Sequence, residues 1–546
     1  MAGGAGTGRA DERRPPDRRV GTALVGSGRS TTSHGRSPWA AVGLPLALVL
    51  GFGVRLVLGL RTPLDATEAT LGLSALHILH GQFVVMDPGN QYLGALDAYL
   101  VTPFIAVLGT SLAAIRIALA FMGMLTVLGA WWFGRIAFRR REHAVVAALA
   151  VAVFPLFGVF WSTRLYPGSG ELLLLETVCL STAALIGWGR GGKKRWWALL
   201  GFAAGVALWS DLLFICVVVA IAAGLLLRAP RIGWGTVASG IATAVAGGVV
   251  GLLPWLVANV PNGFFSLRTI PRDTVALSTR AGNLLREQVP VLVGGAGSCG
   301  HTALPAAVAD AAVAALLLAL LWTRRRTLEY LVTGHWTGIS QIDLALLVIP
   351  VTAALVVLGG VNANACSTQS LLPLSIPLGV GAASALVEHT RWRVVAIGVA
   401  AIWLGVSAIT AAGTLENSQP VTTSGTPIPT NLGPGIALID LHHTVAIWAD
   451  YSLAPLLSYF SHDTLPIAGY GGASGFIGRQ QQVETALAPS WVFVAGDPGI
   501  AAFRKACAAR SIKYTTSSGG GLDLYTGLTG PLEPGDVFTG SEAQTS

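Results

Sequence analysis

Charged side chains are scarce in this sequence of 546 residues. Asp, Glu, Lys and Arg together make up 11% of it, against about 25% in soluble globular proteins. Hydrophobic residues make up 53%, and the mean hydropathy is +0.63. This balance excludes an ordinary soluble enzyme and predicts a polytopic membrane protein.

Cysteine is scarce too, and five residues are too few for a disulfide scaffold. Cys179 and Cys216 fall within hydrophobic runs and are expected in the core. Cys299 and Cys366 fall in predicted outer loops, where an oxidising compartment would permit a bridge between them. No nucleic-acid motif is present, and the net charge of +8 comes from short basic blocks between hydrophobic runs. We therefore expect no nucleic-acid partner.

Hydrophobic runs of about 20 residues, the length that spans a bilayer, are what the sequence has in quantity. The longer runs lie at 39–60, 112–134, 143–162, 234–258, 303–322, 341–359, 369–388 and 392–412, and two shorter runs at 98–109 and 172–187. A run at 196–227 is too long for one span and is interrupted at Ser210-Asp211, which predicts two helices meeting there. With 98–109 non-spanning or only partly embedded, these runs predict about eleven transmembrane helices.

The basic blocks set the predicted orientation. If they and the N-terminus are all cytoplasmic, every intervening loop lies outside and no helix is inverted. We predict a multi-pass protein of the plasma membrane with an extracytoplasmic C-terminal domain. The predicted regions are a disordered cytoplasmic tail (1–37), a transmembrane domain (38–412) with outer loops at 61–111, 163–171, 259–302 and 360–368, a small α/β domain (413–530) and a disordered tail (531–546).

The loop Arg61–Leu100 carries the most chemically versatile side chains. Asp65 and Glu68 are three residues apart and share one face if the segment is helical. Two interpretations are open: an acidic first turn that caps a helix, or carboxylates that act on a substrate. Ionisable groups near a bilayer are costly, so a group of them on one side favours function. Further polar side chains on the predicted outer side are Asn90, Gln91, Tyr92, Glu171 and Asp211.

The segment EATLGLSALHILHGQFVVMDPGNQYLGALDAYLVTPFIAVLGTSLAAIRI resembles the first outer loop and second span of GT-C glycosyltransferases. These polytopic enzymes transfer a sugar from a polyprenyl-phosphate donor. The likeness is to their bacterial branch of protein O-mannosyltransferases and aminoarabinose transferases. RLYPGSGELLLL resembles the second outer loop, REQVPVLVG at 286–294 the loop after the seventh span, and AIWADYSLAPLLSYFS the outer C-terminal domain. The resemblance runs from about residue 40 to about residue 530.

The resemblance has two departures. The adjacent Asp-Glu pair of the family is Thr67-Glu68 here, with the other acid displaced to Asp65. An Arg-Tyr that the family often shows before the tenth span is replaced by Ser367-Thr368-Gln369-Ser370.

The resemblance implies a GT-C-like fold and an inverting transfer to an acceptor hydroxyl at the outer membrane face. Such a transfer needs one carboxylate base and a cation that stabilises the leaving phosphate. Glu68 is the predicted base, with Asp65 second. Arg164 and Arg55 are candidates for the phosphate, although Arg55 is also explained as snorkelling to the interface.

The remaining predictions concern ligands and partners. The expected substrate-binding residues are Asn90, Gln91, Tyr92, Arg164, Glu171, Asp211 and Arg55. Glu171 would orient the acceptor or share a divalent cation with Asp65 and Glu68, but no dedicated metal-ligand spacing is present. Asp211 is equally explained as a helix cap. The implied partners are a polyprenyl-phosphate-sugar donor, membrane lipids and a glycan, lipid or protein acceptor. The rival interpretations are a transporter or lipid flippase, and a GT-C-fold scaffold without activity.

Overall fold

The computed structural model describes most of the chain between residues 38 and 538. The described residues are 38–138, 140–190, 193–270, 275–292, 318, 321–322, 324–333, 338–359, 368–388, 405, 419–471 and 477–538. The predicted Cys299–Cys366 bridge and the predicted tail 1–37 lie outside them. Almost all of the predicted spans 303–322 and 392–412 lie outside them as well.

Helices formed by the hydrophobic runs make up most of the described structure before residue 389. They are α1 (Pro38–Leu60), α2 (Ala66–Leu79), α3 (Leu96–Leu108), α4 (Leu112–Ala137), α5 (Arg141–Val153), α6 (Leu156–Trp161), α7 (Gly170–Leu185), α8 (Lys194–Ser210), α9 (Ile215–Ile232), α10 (Trp234–Gly251), α11 (Leu253–Asn259), α12 (Phe265–Arg268), α13 (Leu277–Asn283), α14 (Val289–Leu292), α15 (Arg325–Val332), α16 (Gln341–Leu346), α17 (Val348–Gly359) and α18 (Ser375–Glu388). Short π and 3-10 turns extend α7, α9, α13 and α18.

Seven helical segments of the described chain are long and apolar enough to cross a membrane. They are Val42–Leu60, Leu112–Ala137, Gly170–Gly189, Leu212–Ile232, Trp234–Gly251, Gln341–Gly359 and Gln369–Val387. The protein is therefore an α-helical membrane protein, as predicted. The count of eleven stays a prediction, because two of the expected spans lie almost wholly outside the described residues. The expected span 143–162 is divided between α5 and α6.

The predicted helix break at Asp211 is present. α8 ends at Ser210, and a 3-10 turn over Leu212–Phe214 leads into α9. Asp211 Oδ1 accepts a hydrogen bond from the Leu213 backbone N–H at 2.8 Å and so caps the turn. The junction of this helix pair therefore carries a carboxylate that caps the turn.

The C-terminal domain, in its described residues 419–471 and 477–538, is a small α/β fold around a five-stranded sheet. The strands are β1 (Ile447–Asp450), β2 (Ile467–Tyr470), β3 (Ser490–Val494), β4 (Thr515–Gly519) and β5 (Leu522–Thr526), in the order β2-β1-β3-β5-β4. β2, β1 and β3 are parallel, whereas β5 and β4 run antiparallel to their neighbours. The helices are α19 (Gly433–Leu441), α20 (Ala454–Phe460), α21 (Ile477–Glu484), α22 (Gly499–Ala509) and α23 (Pro534–Val537).

The C-terminal domain extends further than the sequence predicted. Residues 531–546 were expected to be a disordered tail, but α23 is folded, and Leu532 and Val537 are buried in the aromatic core with Trp491 and Phe503. The few apolar side chains in this polar, Pro- and Gly-rich segment give too weak a periodicity to reveal this packing.

Candidate active site

α2 begins with a capping box formed by the two acids of the first loop. Asp65 Oδ1 accepts a hydrogen bond from the Glu68 backbone N–H at 2.9 Å, and Glu68 Oε2 accepts one from the Asp65 N–H at 3.3 Å. These reciprocal bonds satisfy N–H groups that a helix start leaves without partners. Both acids therefore cap α2. Their other contacts determine which of the two carboxylates is free to act as a base.

Glu68 is fully buried, and donors surround its carboxylate. Arg116 binds it with Nη1 to Oε1 at 2.5 Å and Nη2 to Oε2 at 3.0 Å, and the Leu165 N–H donates to Oε1 at 2.7 Å. Burial alone would raise the pKa of Glu68, but the charges of Arg116 and Arg164 and these hydrogen bonds outweigh it and lower the pKa. A carboxylate held so firmly in its charged form is a weak base.

Arg116 joins three segments around one guanidinium. It projects from the second turn of α4, and its Nε donates to Gly59 O at 3.1 Å, Nη1 to Thr163 O at 2.8 Å and Nη2 to Thr62 O at 3.1 Å. Sequence reasoning missed this residue. The available signal was an Arg within an otherwise apolar helix of 26 residues, a position that requires a partner.

Asp65 is the more accessible carboxylate, with 20% of its side chain exposed against 0% for Glu68. Its Oδ2 accepts hydrogen bonds from Arg164 Nη2 at 2.9 Å and from the Tyr166 hydroxyl. Burial would lower the pKa of Arg164, but the charges of Glu68 and Asp65 outweigh it and raise the pKa. Burial and the Asp65 charge raise the pKa of Tyr166. Among the described residues only the Glu68 N–H binds Oδ1, which leaves that oxygen a lone pair for an incoming hydroxyl.

A second pair of acids lies beneath the loop that follows α6. Asp97 Oδ2 and Glu171 Oε1 accept hydrogen bonds from the same Gly168 N–H, at 3.1 and 3.0 Å, and the Ser210 hydroxyl also donates to Glu171. Burial and then the charge of Glu171 raise the pKa of Asp97 well above its usual value. The two carboxyl groups therefore lie close enough together for the charge of Glu171 to act on Asp97.

This pairing bears on the predicted divalent cation. Glu171 lies with Asp97 rather than with Asp65 and Glu68, and the latter two are already bound by arginines. Within the part of the chain that the structure describes, no three His, Cys, Asp or Glu side chains form a group that could hold a metal ion. The residues present do not fit a cation shared by Asp65, Glu68 and Glu171.

Three polar residues at the edge of this acid pair lie near one another. Burial raises the pKa of Asp211 to about 7. Burial and then the charges of Asp211 and Asp87 raise the pKa of Tyr92, which is half-buried. Asn90 Nδ2 donates to Asp87 Oδ2 at 3.0 Å and so orients that carboxylate. The structure therefore brings Tyr92, Asn90 and Asp211 to one region, and their role in substrate binding stays a prediction.

The side chains of two other predicted substrate-binding residues, Arg55 and Gln91, make no polar contact with this region among the described residues. Arg55 is 2% exposed; its Nε donates to Ser162 Oγ at 2.8 Å, and its Nη1 donates to the carbonyls of Gly51 and Ala152 at 3.1 and 3.2 Å. It is buried between helices, neither snorkelling nor open to a lipid phosphate. Gln91 is exposed and contacts no polar group among the described residues.

A cleft of about 320 Å³ opens beside Tyr166 and Asp211. Gly168, which also lines it, has φ +79, and a Cβ at this position would lie 2.9 Å from the Asp211 side chain. Only glycine lets the loop adopt this conformation and approach so closely. Gln369 is another lining residue, so an amide stands where the resemblance led us to expect an Arg-Tyr.

The C-terminal domain packs against the same loop. Tyr459 of α20 covers Gly72 of α2, where a Cβ would lie 2.6 Å from the tyrosine ring. Tyr451, at the end of β1, is close enough to Asp87 and Asp65 that their charges add to burial in raising its pKa. The candidate site is therefore bordered by membrane helices, the first outer loop and the C-terminal domain.

Residues 95–257, which include Arg116, Arg164, Glu171 and Asp211, match the family model for dolichyl-phosphate-mannose-protein mannosyltransferase. The match covers less than a third of the chain. No curated protein sequence matches this chain significantly.

Solved structures of ArnT share the fold of this chain. ArnT from Cupriavidus metallidurans bound to undecaprenyl phosphate aligns with TM-score 0.54 and 14% identity over 90% of this chain and 98% of ArnT. The same protein in its apo state aligns with TM-score 0.52 and 13% identity over 89% and 97%. An oligosaccharyltransferase from Archaeoglobus fulgidus in complex with zinc and sulfate aligns with TM-score 0.47 and 11% identity over 88% and 72%, which is too weak to argue from. At these identities the likeness shows the fold alone.

Proposed function

We propose that this protein transfers a sugar from a polyprenyl-phosphate-linked donor to an acceptor hydroxyl at the outer membrane face, with inversion at the anomeric carbon and Asp65 as the base. The observation that carries the proposal is the Asp65 carboxylate, accessible at a helix start and held between Arg164 and Tyr166. The matched family description and the ArnT structure with bound undecaprenyl phosphate support a polyprenyl-linked donor.

Asp65 is the better base of the two acids, which reverses their order in the sequence-based prediction. A general base must come within hydrogen-bond reach of the proton that it removes. Glu68 has no exposed surface, and Arg116 and Leu165 occupy its oxygens. Asp65 has exposed surface and a lone pair on Oδ1. Thr67 therefore leaves no gap, because the acid two positions earlier points into the site from the cap of the same helix.

Arg164 is the cation best placed for the leaving phosphate. It lies beside Asp65 with 12% of its side chain exposed, and the two neighbouring carboxylates keep it charged. Arg116 is fully buried on Glu68, and Arg55 is buried between helices. A guanidinium presents paired N–H donors to phosphate oxygens and stabilises the charge that develops as the bond breaks.

The reaction balances with these groups alone. The acceptor oxygen forms a bond to the anomeric carbon as its proton passes to Asp65. The bond from that carbon to the phosphate oxygen breaks, and its electron pair stays on the phosphate beside Arg164. Polyprenyl phosphate and the glycosylated acceptor leave, and Asp65 returns its proton to water. No step requires a general acid, because the phosphate departs as an anion.

The test uses the full chain in lipid nanodiscs with radiolabelled polyprenyl-phosphate sugars and a set of glycan, lipid and hydroxyl-peptide acceptors. Asp65→Asn should lower transfer by about 10²–10⁴-fold while donor binding persists, because asparagine caps the helix but takes no proton. Asp440→Asn, at an exposed position of α19, should leave transfer unchanged. Full activity of Asp65→Asn would refute the assignment of the base. Absence of transfer by the wild type with every donor and acceptor would favour a scaffold.

A further inference from the structure

A second cleft, of about 500 Å³, lies between α2 and the C-terminal domain. Side chains from α2, the end of β1, α20, the turn after α20 and α21 line it: Thr70, Leu73, Tyr451, Ser458, Asp463 and Arg479. None of these residues takes part in the proposed transfer step.

The charges in this cleft balance one another. Asp463 Oδ2 binds Arg479 Nη2 at 2.7 Å and His77 Nε2 at 3.0 Å, and Arg479 Nη2 also donates to the Asp463 carbonyl at 2.6 Å. The three side chains remain 15–24% exposed. A phosphate would have to compete with Asp463 for Arg479. A neutral ligand can instead bind the guanidinium and the carboxylate as they stand, one as donor and the other as acceptor.

Two hydroxyl groups in the cleft lack partners. The Ser458 hydroxyl and the Tyr451 hydroxyl bind no other residue in the described part of the chain, although both side chains are at least half-buried. Partly buried hydroxyls gain from a ligand that can both donate and accept hydrogen bonds. The Tyr451 ring also offers a flat apolar surface, which suits the C–H face of a sugar.

Tyr451 connects this cleft with the proposed base. Its phenol senses the charges of Asp87 and Asp65, which lie on the first outer loop. The cleft also includes Thr70, five residues along α2 from Asp65. A ligand held between Arg479 and Tyr451 would therefore lie along α2, the helix that Asp65 caps.

We propose that this cleft, defined by Tyr451, Ser458, Asp463 and Arg479, binds the neutral carbohydrate portion of a glycan acceptor and presents its hydroxyl to Asp65. The inference rests on the proposed glycosyl transfer and selects a glycan from the acceptor classes considered above. Vicinal hydroxyls of a sugar pair with Arg479 and Asp463, and Tyr451 stacks on the ring nearest the reaction.

Binding is measured on the full chain in nanodiscs by ligand-observed saturation-transfer NMR. The probes are mannotriose, maltotriose and cellotriose, with undecaprenyl phosphate measured in parallel by competition. Tyr451→Ala and Arg479→Gln should each raise the dissociation constant of the bound trisaccharide by at least about 10-fold. Neither variant should change undecaprenyl phosphate binding. Tyr451→Phe, which keeps the ring, should raise this dissociation constant less than Tyr451→Ala does.

Arg510→Gln provides the matched control, because Arg510 pairs with Asp536 on a part of the same domain that does not line the cleft. Thermal unfolding of each variant identifies any that is misfolded, and Tyr451→Phe, which preserves the packing of the ring, then provides the comparison. The proposal is supported if Tyr451→Ala weakens trisaccharide binding and Arg510→Gln does not.

Two outcomes would overturn the subsite, and a third would overturn the proposed function. Undecaprenyl phosphate binding without trisaccharide binding would refute it and leave the proposed function standing. A Ser/Thr-rich peptide or inorganic phosphate that binds in place of the trisaccharides, with the same sensitivity to Tyr451→Ala, would assign the cleft to another ligand. Trisaccharide binding without undecaprenyl phosphate binding or transfer would refute the proposed function instead.

Discussion

Replacing Glu68 with glutamine should destabilise the protein, because it leaves the buried Arg116 guanidinium without its counter-charge. Both side chains are 0% exposed and Arg116 binds both carboxylate oxygens. Removing one partner of a buried ion pair costs about 3–5 kcal/mol. Chemical unfolding in detergent micelles measures the loss. Glu142→Gln, at an exposed position of α5, should stay within about 0.5 kcal/mol of the wild type. Equal stability of the two variants would contradict the structural role of Glu68.

The residues of the site were predictable where a short segment carries the information. Asp65, Glu68 and Arg164 were singled out from one loop and one motif, and Tyr92, Asn90 and Asp211 do lie together. The order of Asp65 and Glu68 as candidates for the base was not predictable, because it depends on which of the two side chains is buried. The contact of Glu68 with Arg116 joins residues 48 positions apart, and that of Asp65 with Tyr166 joins residues 101 apart. The spacing of residues along the chain does not reveal contacts between positions so far apart.

At the scale of helices, α8 and α10 pack closely enough that their backbones touch. A Cβ at Gly201 of α8 would lie 1.8 Å from the Ala244 carbonyl oxygen, and one at Gly247 of α10 would lie 2.4 Å from the Ala198 carbonyl oxygen. Small residues permit this approach in membrane helices. α10 packs mainly on α8, and it also carries exposed Val245 and Val249.

Gly201→Ala should therefore destabilise the helix pair. The new methyl group would meet backbone, which cannot rotate away, and overpacking of this kind costs about 1–3 kcal/mol. Gly235→Ala is the matched control within α10, because no atom lies within 4 Å of its Cβ position. Thermal unfolding followed by tryptophan fluorescence compares them. A loss as large at Gly235 as at Gly201 would show that helix propensity or assembly, and not the contact, sets the effect.

The break between α8 and α9 should make stability depend on pH. Asp211 has a pKa of about 7 in the folded protein, above its usual value because it is buried. The folded state therefore binds this proton more tightly than the unfolded state. Its contribution is fully present below the unfolded pKa of about 4 and is lost as pH rises through 7. Asp211→Asn removes the titration and should flatten the unfolding temperature between about pH 5 and about pH 8.5. An unchanged profile would exclude Asp211 as its source.

Elements were more predictable than their boundaries. The hydrophobic runs gave the long helices, and Ser210-Asp211 gave the break, because a carboxylate is hard to accommodate within an apolar helix. The apolar stretches IWAD, IAGY and WVFV became the parallel strands β1, β2 and β3. The division of 143–162 into α5 and α6, and the folded α23, depend on tertiary contacts that hydrophobic periodicity does not encode.

At the scale of the whole molecule, the C-terminal domain and the first outer loop form one hydrophobic core. Leu71 and Ala75 of α2 pack with Leu457 and Tyr459 of α20, and Ile447 of β1 belongs to the same core. His77 and Asp463 add a hydrogen bond at the edge. Because Asp65 caps α2, the domain that packs on this helix also fixes the position of the proposed base.

Gly72→Val tests this dependence, since a side chain there would displace the Tyr459 ring, which is 0% exposed. We expect faster amide exchange in α2 and α20, unchanged exchange in α4, and transfer activity reduced more than donor binding. Gly53→Val, at a helical position in α1 with no atom within 4 Å of its Cβ, controls for the substitution itself. If amide exchange in α20 became faster while transfer stayed normal, the contacts of Arg116 with Glu68 would be enough to position the base. If α20 lost its protection from exchange and transfer also fell, the packing of the C-terminal domain on α2 would be required to position the proposed base.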